Sequence, residues 1–147
     1  MTVLDAYAVI AYLRGEAAAG NVRPLLLTGD SVVTAVGLAE VLDHLVRVAG
    51  VDEEQATLDL AQLGLLDALP VPATVGAAVG RLRARHYHRT RCPVSVADCV
   101  AAESARWTDQ PLATADPDLL DVCYAEGIGY LALPQSNGAT WAPPERA

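Results

Sequence analysis

The stretch TVLDAYAVIAYL, residues 2–13, decides the fold. Its first residues, Thr2–Leu4, are a short apolar run that predicts a β-strand, and a helix is predicted from Ala6 to about Arg14 after a single acid, Asp5. Strands and helices continue to alternate at similar spacing, which predicts right-handed crossovers and a parallel sheet. We therefore expect an α/β fold, a three-layer α/β/α sandwich around a central parallel sheet of four to five strands.

The rest of the chain supplies the other elements of this sandwich. Further strands are predicted at Ser31–Thr34, Ala68–Val71, Pro111–Ala115 and Ile128–Leu133. Further helices are predicted over Ala17–Leu27 (interrupted near Pro24), from Val36 to about Ala49, from Asp52 to about Leu65, from Thr74 to about His88, over Ser95–Trp107 and over Pro117–Glu126. No repeat or linker divides the sequence, so we expect one domain over residues 1–133. Residues 134–147 are predicted to form an irregular tail of that domain, anchored by Trp141.

Composition excludes several classes of protein. The chain has 147 residues, of which 52% are hydrophobic and 19% charged, and this balance is not that of a disordered chain. All ten basic residues are arginine, so an enzyme that needs a lysine, such as a Walker P-loop or Schiff-base enzyme, is excluded. Three cysteines without a CxxC pair predict neither a zinc site nor a disulfide framework. Without a signal peptide or an apolar run long enough to span a bilayer, we expect a cytoplasmic protein that does not contact membranes.

Three acids stand where chemistry gathers in an open parallel sheet, beyond the carboxyl ends of the strands. Asp5 follows the first strand, Asp116 follows the segment PLATA, and Asp98 stands in the first turn of its helix. Each acid also has a structural interpretation as a helix cap. Ser95 and Asp98 have the spacing of a capping box, and Pro117 after Asp116 is typical of a first helical position.

Two of the acids differ in what surrounds them on their predicted helices. Asp98 shares its face with the small apolar residues Ala101, Ala102 and Ala105. An ionised carboxylate on such a face is costly to desolvate unless a cation or strong donors compensate it. Glu40 shares its face with Asp43, His44 and Arg47. A solvated, ion-paired stripe explains Glu40 about as well as a functional role does.

Four segments together resemble a PIN-domain ribonuclease, and most closely the VapC-like toxins of bacterial toxin–antitoxin pairs. These segments are VLDAYAVIAYL, TAVGLAEVL, SVADCVAAESA and LATADPDLL, and the resemblance runs from Val3 to about Leu133. It implies that the catalytic acids are Asp5, Glu40, Asp98 and Asp116, with Asp118 where some members carry an extra acid. Thr114 keeps a hydroxyl that the family has two residues before the last aspartate, and we count it with the substrate-binding residues. Tyr7 departs from the family, in which a small hydroxyl or amide residue is common at this position.

The resemblance also implies a chemistry, and that chemistry is sound for four crowded carboxylates. A hard divalent cation relieves their mutual repulsion, and Mg²⁺ or Mn²⁺ prefers oxygen ligands. Such an ion would favour hydrolysis of an RNA phosphodiester, with Asp5, Asp98 and Asp116 as ligands and Glu40 either as a ligand or beside the attacking water. The implied partners are an RNA substrate, a cognate antitoxin and a second copy in a homodimer. The alternative is a PIN-like module that binds a metal or a partner without cleaving.

A basic segment, RLRARHYHRTR over residues 81–91, holds five of the ten arginines. An acidic enzyme that binds RNA needs a local cationic surface, so we predict phosphate contacts by Arg85, Arg89 and Arg91. Tyr87 is predicted to stack on an unpaired base. The structural alternative is a solvated helix end, where arginine and histidine interact favourably with the helix dipole.

Overall fold

The structure, a computed structural model, describes residues 1–145. A four-stranded parallel sheet lies at its centre, with the strands in the order β2-β1-β3-β4. The strands are β1 (Thr2–Leu4), β2 (Ser31–Val32), β3 (Leu112–Thr114) and β4 (Tyr130–Ala132). Since β1 and β3 lie in the middle, the residues after them meet at the carboxyl edge of the sheet. The predicted fold class is confirmed.

Helices cover both faces of this sheet. They are α1 (Ala6–Arg14), α2 (Ala19–Leu27), α3 (Ala35–Asp43), α4 (Glu53–Gln62), α5 (Ala73–His86), α6 (Val96–Thr108) and α7 (Pro117–Glu126). A π-helical turn, His44–Val48, extends α3. Within residues 1–145, none of the helices combines the length and the apolar character needed to cross a bilayer.

The alternation of side chains along the strands divides the core into two layers. Val3 and Leu112 pack into a cluster with residues of α5, α6 and α7, whereas Leu4 and Ala113 pack into a second cluster with residues of α1 to α4. Successive residues of a strand point to opposite faces, so each three-residue strand serves both layers. The two central strands, β1 and β3, are buried at every position, as a sheet covered on both faces requires.

Two elements differ from the sequence prediction. The strand predicted at Ala68–Val71 is a single parallel bridge, in which the Leu69 N–H donates to the Val33 carbonyl at 2.8 Å. Pro70 and Pro72 flank this bridge region, and proline has no N–H with which to continue a ladder. The interruption predicted near Pro24 is absent, because α2 runs through it while burying Val22 and Leu26.

The C-terminal tail folds back on the domain. Pro134 and Thr140 form an antiparallel bridge, and the Gln135 N–H donates to the Ala139 carbonyl at 2.7 Å. The Trp141 indole N–H donates to Asp121 Oδ1 of α7 at 2.9 Å. The anchoring role predicted for Trp141 is thus observed, and residues 146 and 147 of the predicted tail lie outside the described residues.

Candidate active site

The four predicted catalytic acids line one cleft of about 740 Å³ at the carboxyl edge of the sheet. Asp5 directly follows β1, and Asp116 comes two residues after the end of β3. Glu40 belongs to α3, and Asp98 lies in the first turn of α6. The structure therefore brings together four side chains that are up to 111 residues apart in sequence (116 − 5).

Asp5 is the most buried member of this quartet. Only 8% of its surface is exposed. Its Oδ1 caps α1 by accepting from the Ala8 N–H at 2.9 Å, and its Oδ2 accepts from the Thr114 hydroxyl. Burial raises the pKa of the Asp5 carboxyl to about 7, and the nearby carboxylates of Asp98 and Asp116 add to this rise, although the two hydrogen bonds oppose it.

Thr114 connects two acids of the cleft. Its hydroxyl donates to Asp5 and accepts from the Asp116 N–H, which is 3.1 Å away. The Thr114 side chain is fully buried. The hydroxyl therefore orients the two acids and cannot reach a nucleic acid bound in the cleft, so the structure assigns it a positioning role in place of the predicted substrate contact.

Asp98 and Asp116 are helix caps as well as cleft residues. Asp98 Oδ2 accepts from the Ser95 N–H at 2.9 Å in a complete capping box. Asp116 Oδ1 accepts from the Asp118 N–H at 2.9 Å at the start of α7. Within residues 1–145, the other carboxylate oxygen of each aspartate makes no hydrogen bond. Burial and the neighbouring Asp98 raise the pKa of Asp116.

Glu40 and Asp118 stand further from the buried centre. Glu40 is exposed on the cleft wall, and partial desolvation together with the Asp98 carboxylate raises its pKa. Asp118 does not line the cleft, but Asp98 contributes to a rise in its pKa, so the two carboxylates are electrostatic neighbours.

A polar rim that sequence reasoning did not assign to the substrate continues along α3 into the π-helical turn. His44 and Arg47 both line the cleft, at four and seven residues after Glu40. Arg14 Nη1 donates to His44 Nε2 at 3.1 Å, because a guanidinium can only donate. Arg47 forms two hydrogen bonds of 2.8 Å with Asp43. The predicted ion-paired stripe exists, and it faces the cleft.

The basic segment lies elsewhere on the surface. None of Arg85, Tyr87, Arg89 and Arg91 lines the acidic cleft. Arg85 Nη2 donates to Glu126 Oε1 at 2.8 Å, which neutralises much of its charge. The guanidinium of Arg83 lies 4.1 Å from the centre of the Tyr87 ring and covers one of its faces. Arg89 and Arg91 are exposed in the loop that follows α5. Their contact with RNA stays a prediction.

Tyr7 contributes an unusual polar atom to the cleft region. Its ring lines the cleft, yet its hydroxyl is buried and makes no hydrogen bond within residues 1–145. A buried hydroxyl without a hydrogen-bond partner costs the fold free energy. The sequence showed the departure from a small residue at this position but not the unpaired hydroxyl.

The donor set fits a hard divalent cation held largely through water. Within residues 1–145, no three carboxylate, histidine or cysteine side chains converge closely enough to coordinate one ion directly as they stand. Asp98 and Asp116, each with one carboxylate oxygen that makes no hydrogen bond within residues 1–145, nevertheless line the same cleft as Asp5 and Glu40. Magnesium keeps several waters and uses few protein oxygens, so water-bridged binding by this set is chemically consistent.

Comparison with known proteins identifies the family of the chain and structures that share its fold. The model of the PIN domain family matches residues 2–124. Three solved structures share the fold: FitAcB from Neisseria gonorrhoeae, VapBC2 from Rickettsia felis bound to a DNA fragment from their promoter, and a toxin–antitoxin complex from Klebsiella pneumoniae.

These structural similarities accompany low sequence identity. The Neisseria structure has a TM-score of 0.62 at 18% identity, over 88% of this chain and 96% of that one. The Rickettsia structure has a TM-score of 0.64 at 16% identity, over 90% of this chain and 98% of that one. The Klebsiella structure has a TM-score of 0.59 at 14% identity, over 79% of this chain and 87% of that one. No curated protein sequence matches the chain. The family match covers most of the sequence, and this chain belongs to the PIN domain family.

Proposed function

We propose that this protein is a magnesium-dependent endoribonuclease and the toxin of a toxin–antitoxin pair. The observation that carries the proposal is the convergence of Asp5, Glu40, Asp98 and Asp116 on one cleft, with Asp5 buried at its base. Four carboxylates kept together at the edge of a sheet destabilise the metal-free fold, which favours a functional origin. Membership of the PIN domain family and the fold shared with toxin–antitoxin complexes support the same activity.

Three aspartates are the proposed metal-binding residues. Asp5, Asp98 and Asp116 would hold Mg²⁺, or Mn²⁺ as a substitute, directly or through water, and Asp118 is a candidate for a water-mediated contact. When bound, the ion lowers the pKa of a water molecule and offsets charge on the scissile phosphate. The capping bonds of the three aspartates fix their carboxylates before any ion binds.

Glu40 has the freedom that a proton acceptor needs. Its carboxylate makes no hydrogen bond within the described chain, and partial burial together with the Asp98 carboxylate raises its pKa. We propose that it orients the attacking water or accepts its proton. The Thr114 hydroxyl is a positioning residue in this scheme, since it holds Asp5 and the Asp116 backbone in register.

Cationic groups beside the cleft are the proposed phosphate contacts. Arg47 lines the cleft, and Arg14 reaches it through His44, so these side chains can meet the RNA backbone near the acids. Arg89 and Arg91 would contact phosphates further along the strand, with Tyr87 available for stacking on its uncovered face. Arg85 contributes less because Glu126 already pairs with it.

A cognate antitoxin and a second copy of the chain are the proposed protein partners. An acidic cleft of this kind would bind an arginine or lysine from an antitoxin tail, and this binding would compete with the metal. Truncating such a tail should restore nuclease activity even where partial binding persists. The homodimer rests on the family resemblance.

A purified-protein assay separates this proposal from a non-cleaving binding module. Mixed-sequence RNA is incubated with the protein in Mg²⁺, in Mn²⁺ and in EDTA, and the new 5′ ends are mapped. We expect cleavage by the native protein with either metal and none with Asp98→Asn. Asp109→Asn is a matched control, because Asp109 ends the same helix in a left-handed conformation (φ 51°) that asparagine tolerates. Metal-dependent binding of RNA without any cleavage would favour the binding module.

A further inference from the structure

The tail forms a structured arm over one wall of the cleft. Residues 134–141, PQSNGATW, turn back through the bridge between Pro134 and Thr140, and the Gly138 N–H donates to the Gln135 carbonyl at 2.8 Å. Gln135 and Ser136 line the same cleft as the four acids. The turn uses both backbone polar groups of Gln135. Within residues 1–145, the Gln135 side-chain amide makes no hydrogen bond and is available to a ligand.

Sheet topology explains why the arm reaches the acids. The arm leaves the carboxyl end of β4, which pairs in parallel with β3, and the Leu133 N–H donates to the Thr114 carbonyl at 2.9 Å. Residues that follow β4 therefore lie beside Asp116, which follows β3. Glu40 and Arg47 follow β2 at the other end of the strand order. The acids lie between a wall that carries cations and a wall formed by the arm.

Trp141 holds the arm at its far end. Its indole N–H donates to Asp121 Oδ1 at 2.9 Å, and its ring packs edge-on against Tyr130 and Tyr124 with centroid distances of 5.2 and 6.2 Å. Aromatic pairs of this geometry add stability beyond their buried area. These contacts join the arm to α7 and β4, so the position of Gln135 depends on a residue six positions later.

The chemistry of the arm suits bases better than phosphates. Residues 134–141 contain no charged side chain, so the arm lacks the arginine or lysine that supplies the electrostatic part of binding to the RNA backbone. A carboxamide carries a donor and an acceptor side by side and so distinguishes the hydrogen-bonding edges of bases, which are accessible in single-stranded RNA.

We propose that the arm is the element that selects the RNA sequence to be cut, with Gln135 and Ser136 reading bases next to the scissile phosphate and Trp141 acting as the positioning residue. This inference rests on the proposed ribonuclease function. The tail would thereby supply a selectivity that the acids and the arginines beside the cleft do not. The acids would act on any phosphodiester, and the arginines would contact the RNA backbone.

The test measures sequence preference separately from overall activity. Cleavage of a mixed-sequence RNA in Mg²⁺ is mapped for the native protein, Gln135→Ala, Ser136→Ala, Trp141→Ala and Trp141→Phe, and kcat/KM is then measured on substrates that differ in one nucleotide. We expect Gln135→Ala to reduce the discrimination at one position by about fivefold or more. Trp141→Ala should change the same position, and Trp141→Phe, which keeps a ring against Tyr124 and Tyr130, should restore part of the preference.

Matched controls make each outcome decisive. Trp107→Ala removes the other tryptophan of the chain, which is exposed on α6 and does not line the cleft, and it should leave the cleavage pattern unchanged. If Gln135→Ala and Ser136→Ala cut RNA as the native protein does and discriminate equally well between substrates that differ in one nucleotide, the inference is overturned and the proposed function stays intact. Failure of the native protein to cut any RNA with Mg²⁺ or Mn²⁺ would overturn the proposed function itself. Gln135→Ala decides the matter even if Trp141→Ala does not fold, because the Gln135 side chain makes no hydrogen bond within residues 1–145 and only its backbone holds the turn.

Discussion

Asp5→Asn should stabilise the metal-free protein by an amount that grows as the pH rises from about 4 to 7 and then levels off. The pKa of Asp5 rises from its ordinary value of 3.8 to about 7 on folding. Between these values the folded protein holds a proton that the unfolded chain has lost, so stability falls as the pH rises through this window. Asparagine carries no charge and keeps nearly the same shape, and its side-chain oxygen can still cap α1 at Ala8.

The magnitude follows from the pKa rise. A shift of roughly 3 units corresponds to about 4 kcal/mol that the ionised Asp5 costs the fold above pH 7. The variant recovers this energy, but the Thr114 hydroxyl loses its carboxylate acceptor, which costs about 1 kcal/mol. We therefore expect a net gain of about 2–3 kcal/mol at pH 8, and a melting temperature higher by roughly 5–10 °C. Near pH 4 the two proteins should differ by no more than about 1 kcal/mol, because Asp5 is then largely protonated.

Urea and thermal unfolding in EDTA at several pH values between 4 and 8 would measure this difference. Asp52→Asn is a suitable control, since Asp52 caps α4 in the same way but its carboxylate is exposed to solvent. It should change stability by less than about 1 kcal/mol, with little dependence on pH. A stability difference for Asp5→Asn that is the same at pH 4 and pH 8 would refute the explanation by a buried charge.

Three further outcomes follow from the site. Mg²⁺ at a hundred times its dissociation constant should stabilise the native protein by about 2.7 kcal/mol, and Asp98→Asn should lose most of this gain. Equal metal-induced shifts in the melting temperatures of the two proteins would exclude Asp98 from the metal site. Arg89→Gln and Arg91→Gln should each reduce the salt slope of RNA binding by up to roughly 0.7. Arg47→Gln and Arg85→Gln should reduce it by less, because Asp43 and Glu126 pair with these arginines, and unchanged slopes would place the RNA elsewhere. Tyr7→Phe should leave the melting temperature equal or higher, because the lost hydroxyl is buried and makes no hydrogen bond within residues 1–145. A clearly lower melting temperature would show that this hydroxyl stabilises the fold.

Local pattern was sufficient to predict the order of the elements and the position of the acids. Short apolar strands and helices of near-average length leave few ways to build a parallel sheet, and an acid directly after a strand must stand at its carboxyl edge. Ion pairs between side chains that lie far apart in the sequence were not predictable in this way. The contact of Arg85 with Glu126 joins residues 41 positions apart and depends on how α5 and α7 pack around α6. The basic segment consequently suggested a substrate surface that lies outside the acidic cleft.

The sequence presented helix capping and metal binding as competing explanations of the aspartates, and the structure shows that they are compatible. A carboxylate has two oxygens, and in Asp98 and Asp116 one oxygen satisfies N–H groups at the start of a helix while the other makes no hydrogen bond within residues 1–145. Both residues line the cleft. The capping bond restricts rotation of the carboxylate, so the free oxygen keeps its direction without a metal ion. The helix N-terminus also favours the negative charge that crowding with the other acids opposes. Replacing such an aspartate with asparagine therefore keeps the cap and removes the charge, which is why that substitution, and not alanine, separates the two roles.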